Sequence, residues 1–171
     1  VFGLYGKDGK AGALTATYYT DKTKHSVLIR RDEDKVDYEN LKTIKNLPAD
    51  FPKPSASATW EGEIEAKETG TYHFKLHYAG YTKVFVDNKE IIPERWRAAW
   101  NPNDYKATAH LEKCKRYPIR IEWLPDGDVS YIGLKVLSPL PEEERERLAF
   151  WSEMGDDIDY YFINGESSMD K

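Results

Sequence analysis

The sequence contains a single cysteine, Cys114, among its 171 residues. An intrachain disulfide is therefore excluded, and so is a thiolate metal cluster. Four histidines are present, but none has a zinc-type spacing to the cysteine. The sequence thus predicts no metal centre, and no cofactor of another kind is expected.

An excess of basic residues is also lacking, since 25 Lys and Arg stand against 30 Asp and Glu and give a net charge of −5. Because there is no basic excess or stripe, a nucleic-acid binder is not expected. No apolar run approaches the roughly 20 residues that a membrane span requires. The chain starts at Val1 without a signal pattern, so it is predicted to be a processed or excised piece whose compartment cannot be read directly.

Aromatic residues are plentiful, with 5 Trp, 12 Tyr and 6 Phe, and many of them alternate with polar residues. Such alternation is typical of half-buried strands. The predicted strands cover residues 13–19, 26–31, 59–67, 71–78, 84–86, 105–111, 117–123 and 130–137. Turn residues separate the runs at 68–70, 87–88 and 125–127. The pattern predicts an all-β fold, an antiparallel β-sandwich.

Besides these strands, the sequence predicts one helix, one long connection and one further strand. One short helix is predicted near the C-terminus over residues 141–150, with proline at its start and glutamates in its first turn. Residues 47–57, which contain three prolines, are predicted to form a surface connection. Residues 158–162 alternate and are predicted to form a strand, and the chain stops soon after it. This ending indicates a fragment of something longer.

Four motifs follow one another in a characteristic order. They are residues 12–19 (Gly-Ala-Leu-Thr-Ala-Thr-Tyr-Tyr), residues 58–62 followed by 68–74, residues 84–89, and residues 115–122 (Lys-Arg-Tyr-Pro-Ile-Arg-Ile-Glu). Together they resemble the protective-antigen-type (PA-fourteen) domain over residues 11–138. The resemblance implies an antiparallel β-sandwich without catalytic residues of its own.

Residues 155–162 are similar to a segment of glycoside hydrolase family 31. In that family the segment ends a β-sandwich before the catalytic (β/α)8 barrel, and bacterial α-xylosidases that act on xyloglucan oligosaccharides carry a PA-fourteen domain before it. The resemblance implies a parent flank at 1–10, the domain at 11–138, and a helix with a returning parent segment at 139–171. The family's nucleophile motif is absent here, so no catalytic residue is predicted in this chain.

A candidate sugar-binding loop is predicted at residues 94–103, which hold two Trp, two Arg and two Asn. Indole rings stack on the C–H faces of sugars, while amides and guanidinium groups pair with hydroxyls. The turn at 78–81 and the hairpin at 125–128 adjoin it. The predicted carbohydrate contacts are Tyr81, Arg95, Trp96, Arg97, Trp100, Asn101, Asn103 and Asp126. The alternative is that Trp96 packs into the sandwich rim and that Asp126 only shapes a turn.

Other candidates are interpreted structurally. Adhesin-type members of the family bind calcium through aspartates at the turn occupied here by Ala79 and Gly80, so calcium-dependent binding is not expected. Glutamates at positions 61, 63 and 65 are predicted to share a solvated strand face rather than to act as acid and base. The histidines at 73 and 77 are predicted to be exposed, and the aspartates at 156–157 to shape a turn.

Three functions are compatible with these residues. The favoured hypothesis is an accessory module that binds an oligosaccharide or polysaccharide substrate for a catalytic barrel in the same parent chain. A second is an architectural insert, with Trp and Arg buried in a packing or dimer contact. A third is an independent lectin or adhesin. A polysaccharide-degrading parent implies a periplasmic or cell-surface location in a bacterium.

Overall fold

The computed structural model describes residues 2–98, 100–127, 129–139 and 160–164. These residues form two antiparallel sheets and one short helix. The elements are β1 (Phe2–Gly6), β2 (Leu14–Tyr19), β3 (Val27–Glu33), β4 (Asp37–Tyr38), α1 (Leu41–Ile44), a 3₁₀ turn (Lys53–Ser55), β5 (Ser57–Ala66), β6 (Gly70–Tyr78), β7 (Gly80–Val86), β8 (Lys89–Arg97), β9 (Asn103–Leu111), β10 (Arg116–Leu124), β11 (Ile132–Leu137) and β12 (Tyr161–Phe162). The predicted all-β sandwich is confirmed.

The larger sheet has seven strands in the order β3-β2-β5-β10-β7-β8, and β1 also pairs with β5. Strand β5 is long enough to serve two neighbours on one side: its first half pairs with β2 and its second half with β1. Gly62 lies where the two neighbours meet, at a φ of 153°, and a Cβ there would collide with the carbonyl of Tyr5. Glycine at this position therefore lets β1 lie close to β5.

The smaller sheet has five strands in the order β12-β11-β6-β9, with β4 also paired to β11. The inner faces of both sheets enclose an aromatic core. At its centre Trp60 and Trp123 are fully buried, with ring centroids 6.3 Å apart. Phe51 packs against Trp123 and edge-on to Tyr18. Burial of these large rings supplies much of the apolar stabilisation of the fold.

Several local predictions need correction or extension. Residues 94–97 do not belong to a loop, because β8 continues to Arg97. The connection at 47–57 is not wholly superficial, since Phe51 and Ala56 are buried in the core. Residues 2–6 lie within the predicted flank at 1–10, and they form β1, which pairs with β5 of the larger sheet. This pairing leaves the predicted origin of the flank untested. Residues 161–162 of the predicted last strand form β12, whereas the predicted helix at 141–150 and the aspartates at 156–157 lie outside the described residues.

Helix α1 was not predicted from the sequence. Asn40 caps it, because its side-chain oxygen accepts hydrogen bonds from the backbone N–H groups of Lys42 and Thr43. The Thr43 hydroxyl in turn accepts from the Asn40 N–H, which completes a reciprocal capping box. Among the described residues, no helix combines the length and the apolar character needed to cross a membrane.

Candidate functional site

Three connections between the two sheets meet at one end of the sandwich. They are Ala79 between β6 and β7, residues 98–102 between β8 and β9, and residues 125–131 between β10 and β11. The strand registers place them together, because Gly80 lies opposite Arg97 and Tyr81 lies opposite Leu124. We call this end, defined by these three connections, the Trp96 end.

A single residue, Ala79, carries the chain from the smaller sheet to the larger one. Its carbonyl accepts hydrogen bonds from Trp123 Nε1 at 3.0 Å and from Ser130 Oγ at 2.7 Å, and its N–H donates to the Tyr131 carbonyl at 2.8 Å. Gly80 follows at a φ of 90°, a region that favours glycine. The backbone that passes from β6 to β7 is therefore fixed by the hydrogen bonds of Ala79 and by the conformation of Gly80.

The turn at 78–81 also brings Asp126 close. A Cβ at Gly80 would lie 3.1 Å from the Asp126 backbone nitrogen and would collide with the Leu124 carbonyl. The Asp126 N–H donates to Ser130 Oγ at 3.3 Å, so the Asp126 backbone is part of the turn, while its side chain is not involved in this bond. The same geometry places Asp126 beside the start of β7.

Tyr81 and Trp96 form an exposed aromatic pair on the outer face of the larger sheet. They occupy opposite positions on β7 and β8, with ring centroids 6.3 Å apart and planes inclined by 44°. Their exposed fractions are 45% and 49%. Leu124 lies on the other side of Tyr81, and the three side chains form a continuous apolar row. Trp96 is therefore not packed into the rim.

Trp100 lies in the connection at 98–102 and is 86% exposed. The Asn101 N–H donates to the Ala98 carbonyl at 3.0 Å, which closes a tight turn around Trp100. The indole thus extends from a constrained backbone into solvent. Large exposed aromatic rings are common at binding sites.

The predicted arginines are separated from the aromatic pair. Arg95 and Arg97 alternate with Trp96 along β8, so they project from the opposite face of that strand. The Arg95 guanidinium lies 4.7 Å from the ring centroid of Tyr105 on β9, and its Nε is 3.5 Å from the Tyr78 hydroxyl. Arg95 thereby joins the edges of the two sheets.

Asn103 begins β9 opposite Tyr78, whose hydroxyl accepts from Arg95, and this places it on the Arg95 side of the Trp96 end. The structure thus brings the predicted residues to one end but divides them between two sides. Tyr81 and Trp96 lie on the outer face, whereas Arg95, Arg97 and Asn103 lie toward the gap between the sheet edges. Trp100, Asn101 and Asp126 lie in the connections.

Two predictions about charged residues are refined. The strand face that carries Glu61 is less solvated than predicted, because Glu61 is only 12% exposed and pairs with Lys7 and Arg120. His77 is partly buried, and its Nδ1 lies 2.9 Å from Asp104. This hydrogen bond, with the nearby charges, lowers the pKa of Asp104. Within the described ranges no three His, Cys, Asp or Glu side chains are arranged to hold a metal ion.

A largely buried hydrogen-bond network around the Glu33 carboxylate was missed by sequence reasoning. Glu33 accepts hydrogen bonds from Tyr18 Oη at 2.5 Å, Arg31 Nε at 2.8 Å and Trp60 Nε1 at 2.9 Å. The Tyr38 hydroxyl lies 3.3 Å from the same carboxylate. Burial, reinforced by Glu33, raises the pKa of Tyr18 well above its usual range. The network fixes β3 and β4 to the core beside a surface depression of 710 Å³.

The loop at 20–26 lies next to the Trp96 end and is organised by Asp21. The Asp21 carboxylate accepts from the Thr23 hydroxyl at 2.6 Å and from the backbone N–H groups of His25 and Ser26. The Ser57 hydroxyl donates to the Asp21 carbonyl at 2.6 Å, and Lys24 lies 3.7 Å from Glu122. The loop is thereby held against the outer face of the larger sheet.

These bonds make the loop resistant to mild acid. The Thr23 hydroxyl, followed by the Ser26 N–H, lowers the pKa of Asp21 to about 2. Since this pKa is depressed, the contribution of Asp21 is complete above its unfolded pKa of about 3.9 and is lost as pH falls through about 2. We expect an NMR titration of the Asp21 carboxyl to give a midpoint near the lower value, and Thr23→Ala to raise it.

Thr20→Ala provides the control, because the Thr20 hydroxyl donates to the Ser26 carbonyl and not to Asp21. It should leave the Asp21 midpoint in place. An Asp21 midpoint at the ordinary aspartate value in the unmodified chain would contradict this account of the loop.

The family of the chain follows from comparison with known proteins. The PA14 domain matches residues 9–134. The chain belongs to the PA14 domain family. This confirms the resemblance found in the four motifs and agrees with the observed sandwich.

Longer proteins contain similar domains. The crystal structure of a GH31 α-xylosidase from Xanthomonas citri is 35% identical, with a TM-score of 0.75, over 84% of this chain and 16% of that one. An anti-sigma-I factor of Acetivibrio thermocellus is 26% identical over 77% of this chain and 21% of its own length. The chain therefore spans about a fifth or less of either relative.

The fold also occurs in a protein of similar size. The A domain of an epithelial adhesin from Candida glabrata, whose crystal structure is a complex with Galβ1-4GlcNAc, has a TM-score of 0.55. It is 16% identical, and the match covers 82% of this chain and 88% of the adhesin domain. At this identity the similarity establishes the shared fold alone.

Proposed function

We propose that this PA14 domain is a non-catalytic carbohydrate-binding module of a family 31 glycoside hydrolase, an α-xylosidase-like parent. In this proposal the domain occupies residues 11–138, and the segments at 1–10 and 139–171 belong to the parent. The domain extends the substrate cleft of the parent's barrel toward branched oligosaccharides such as xyloglucan fragments. A parent with such substrates would act in the periplasm or at the cell surface.

The observation that carries the proposal is the exposed pair of Tyr81 and Trp96, together with the exposed Trp100 in the connection that follows β8. Inclined rings on a rigid strand pair offer flat apolar surfaces to the C–H faces of sugars at little entropic cost. Asn101 and Asp126 in the adjoining connections can pair with hydroxyls. The identity of 35% with the α-xylosidase domain supports the choice of parent.

The required affinity is modest. A dissociation constant of about 1 mM corresponds to about 4 kcal/mol, which two stacked rings and a few hydrogen bonds can supply. Tethering to a catalytic barrel would raise the local concentration of the bound substrate. Weak binding by the isolated chain is therefore consistent with the proposed role.

The test is an NMR titration of the 171-residue chain with xylogluco-oligosaccharides. We expect the indole N–H signals of Trp96 and Trp100 to shift, while those of Trp60 and Trp123 stay in place because both rings are buried. Trp96→Ala should weaken binding about tenfold, close to 1.4 kcal/mol. The buried indoles serve as controls within the same spectrum.

A second candidate function is architectural packing. Val27 and Ile29 are exposed on β3, an edge strand of the larger sheet, and exposed aliphatic residues at a sheet edge can pack against another surface. If neither exposed indole shifts at tens of millimolar ligand, sugar binding at the Trp96 end is wrong and the packing role is favoured.

A further inference from the structure

A second depression lies on the outer face of the larger sheet, away from the Trp96 end. Its volume is 540 Å³. The turn at 7–9 borders it on one side and Asn88 on the other, and strands β5, β7 and β10 form its base. It is a groove across a sheet, which is a surface shape suited to an extended ligand.

The floor of this outer groove contains Phe85 and Pro118. Phe85 lies opposite Arg120 and projects outward, because it alternates with the buried residues Val84 and Val86. The Pro118 carbonyl accepts from the Asp87 N–H at 2.8 Å, so the turn that carries Asn88 is fixed at the groove's edge. The floor thus combines an aromatic ring with a second apolar ring.

The rim is polar and contains groups available to a ligand. On one side Glu61 is held by Lys7 at 3.2 Å and by Arg120, which also donates to Glu122 at 2.7 Å. Glu63 and the Asn88 side chain have no hydrogen-bond partner among the described residues. A free carboxylate and a free amide above an apolar floor are suited to hydroxyl groups.

The charged side chains that line the groove indicate which class of ligand it can bind. Carboxylates of Asp8, Glu61 and Glu63 line the groove against the cations of Lys7 and Arg120. An acidic sugar would bring another negative charge beside unpaired Glu63, which is unfavourable. The groove therefore favours a neutral sugar.

The groove and the aromatic pair share strand β7. Tyr81, Lys83 and Phe85 all project from the outer face of β7. Tyr81 and Phe85 are four residues apart, or about 13 Å at roughly 3.3 Å per residue. The two surfaces lie on the outer face of the same strand, at a separation that an oligosaccharide can span.

We propose that the outer groove is a second subsite for a neutral oligosaccharide that runs along β7 from the Tyr81–Trp96 pair to Phe85. The choice of a saccharide as ligand rests on the proposed function, whereas the groove itself is a separate site. Phe85 supplies the stacking surface of the subsite, and Glu63 and Asn88 accept and donate hydrogen bonds to hydroxyl groups.

The test compares a xylogluco-oligosaccharide with the short disaccharide xylosyl-glucose on the 171-residue chain. We expect the Asn88 side-chain amide to shift with the oligosaccharide, and Phe85→Ala to weaken its binding about tenfold without affecting the disaccharide. Glu63→Gln should weaken oligosaccharide binding as well. Glu65→Gln and Tyr161→Ala are the matched controls, because Glu65 pairs with Arg116 and Tyr161 lies on the other sheet.

The outcomes separate the two proposals. Shifts at Trp96 without a shift at Asn88, together with unchanged binding by Phe85→Ala, overturn the second subsite and leave the proposed function standing. Shifts at Asn88 without shifts at either exposed indole show that the groove binds by itself, and this result overturns both the Trp96 end as the binding site and the continuous path along β7. Unchanged Trp60 and Trp123 signals in each variant establish that the fold is intact.

Discussion

Replacing Glu33 by alanine should destabilise the domain by about 4 kcal/mol, because several buried donors lose their common acceptor. Tyr18 and Trp60 are fully buried, and both donate to this carboxylate. Arg31 would lose its charged partner as well. The measurement is the free energy of unfolding in urea. Glu33→Gln keeps one acceptor oxygen and should lose less.

Asp32→Ala is the control for this result. Asp32 is the neighbouring residue, and its carboxylate is exposed in a surface ion pair with Lys10 at 3.6 Å. Such pairs contribute little, so a change within about 0.5 kcal/mol is expected. Equal losses for the two alanine variants would show that the Glu33 network does not stabilise the fold.

Replacing Gly80 by alanine should lower the free energy of unfolding by about 3 kcal/mol and weaken sugar binding. The added Cβ collides with the Leu124 carbonyl, and the φ of 90° is strained for any other residue. Relief of the collision must displace the start of β7 from β10, which moves Tyr81 relative to Leu124 and disturbs the apolar row that contains Trp96. Urea unfolding and titration with a xylogluco-oligosaccharide would measure both effects.

The Gly127→Ala variant distinguishes the loss of stability caused by backbone strain from the loss caused by a steric collision. Gly127 has a similar φ of 85°, but a Cβ there would have no neighbour within 4 Å. Its alanine variant should lose only the backbone contribution of about 1 kcal/mol and keep its affinity for sugar. A Gly80→Ala variant that is no less stable than Gly127→Ala would contradict the role assigned to close packing at Gly80.

The sequence was sufficient to predict the fold and most strands. In β6 the alternation of Tyr72, Phe74 and Leu76 with polar residues directly reflects one buried and one open face. Strand β8 was not predicted, because its pairing with β7 shifts register twice between Thr82 and Phe85 and its exposed polar residues do not alternate regularly with buried ones. Irregular edge strands lack the period on which such predictions depend.

The sequence indicated candidate residues that lie at one end of the sandwich, but it did not predict which of them share a face. The proximity of Tyr81 to Trp96 depends on strand register, which local sequence does not specify. Arg95 is separated from Trp96 for a different reason: adjacent residues of a strand project from opposite faces, and residues 94–97 were predicted as a loop. The Glu33 network could not be predicted from local sequence patterns, because Tyr18 and Trp60 lie 15 and 27 positions from Glu33 in the sequence.

The position of Trp96 on an edge strand has a further consequence for self-association. An open strand edge with large apolar side chains can recruit a second copy of the chain and start aggregation. Three residues of β8 oppose such pairing: Pro93 lacks an N–H group to donate, and Glu94 and Arg95 place charges on the edge. The domain can thus display bare indole rings to solvent while its own backbone discourages intermolecular β-sheet growth.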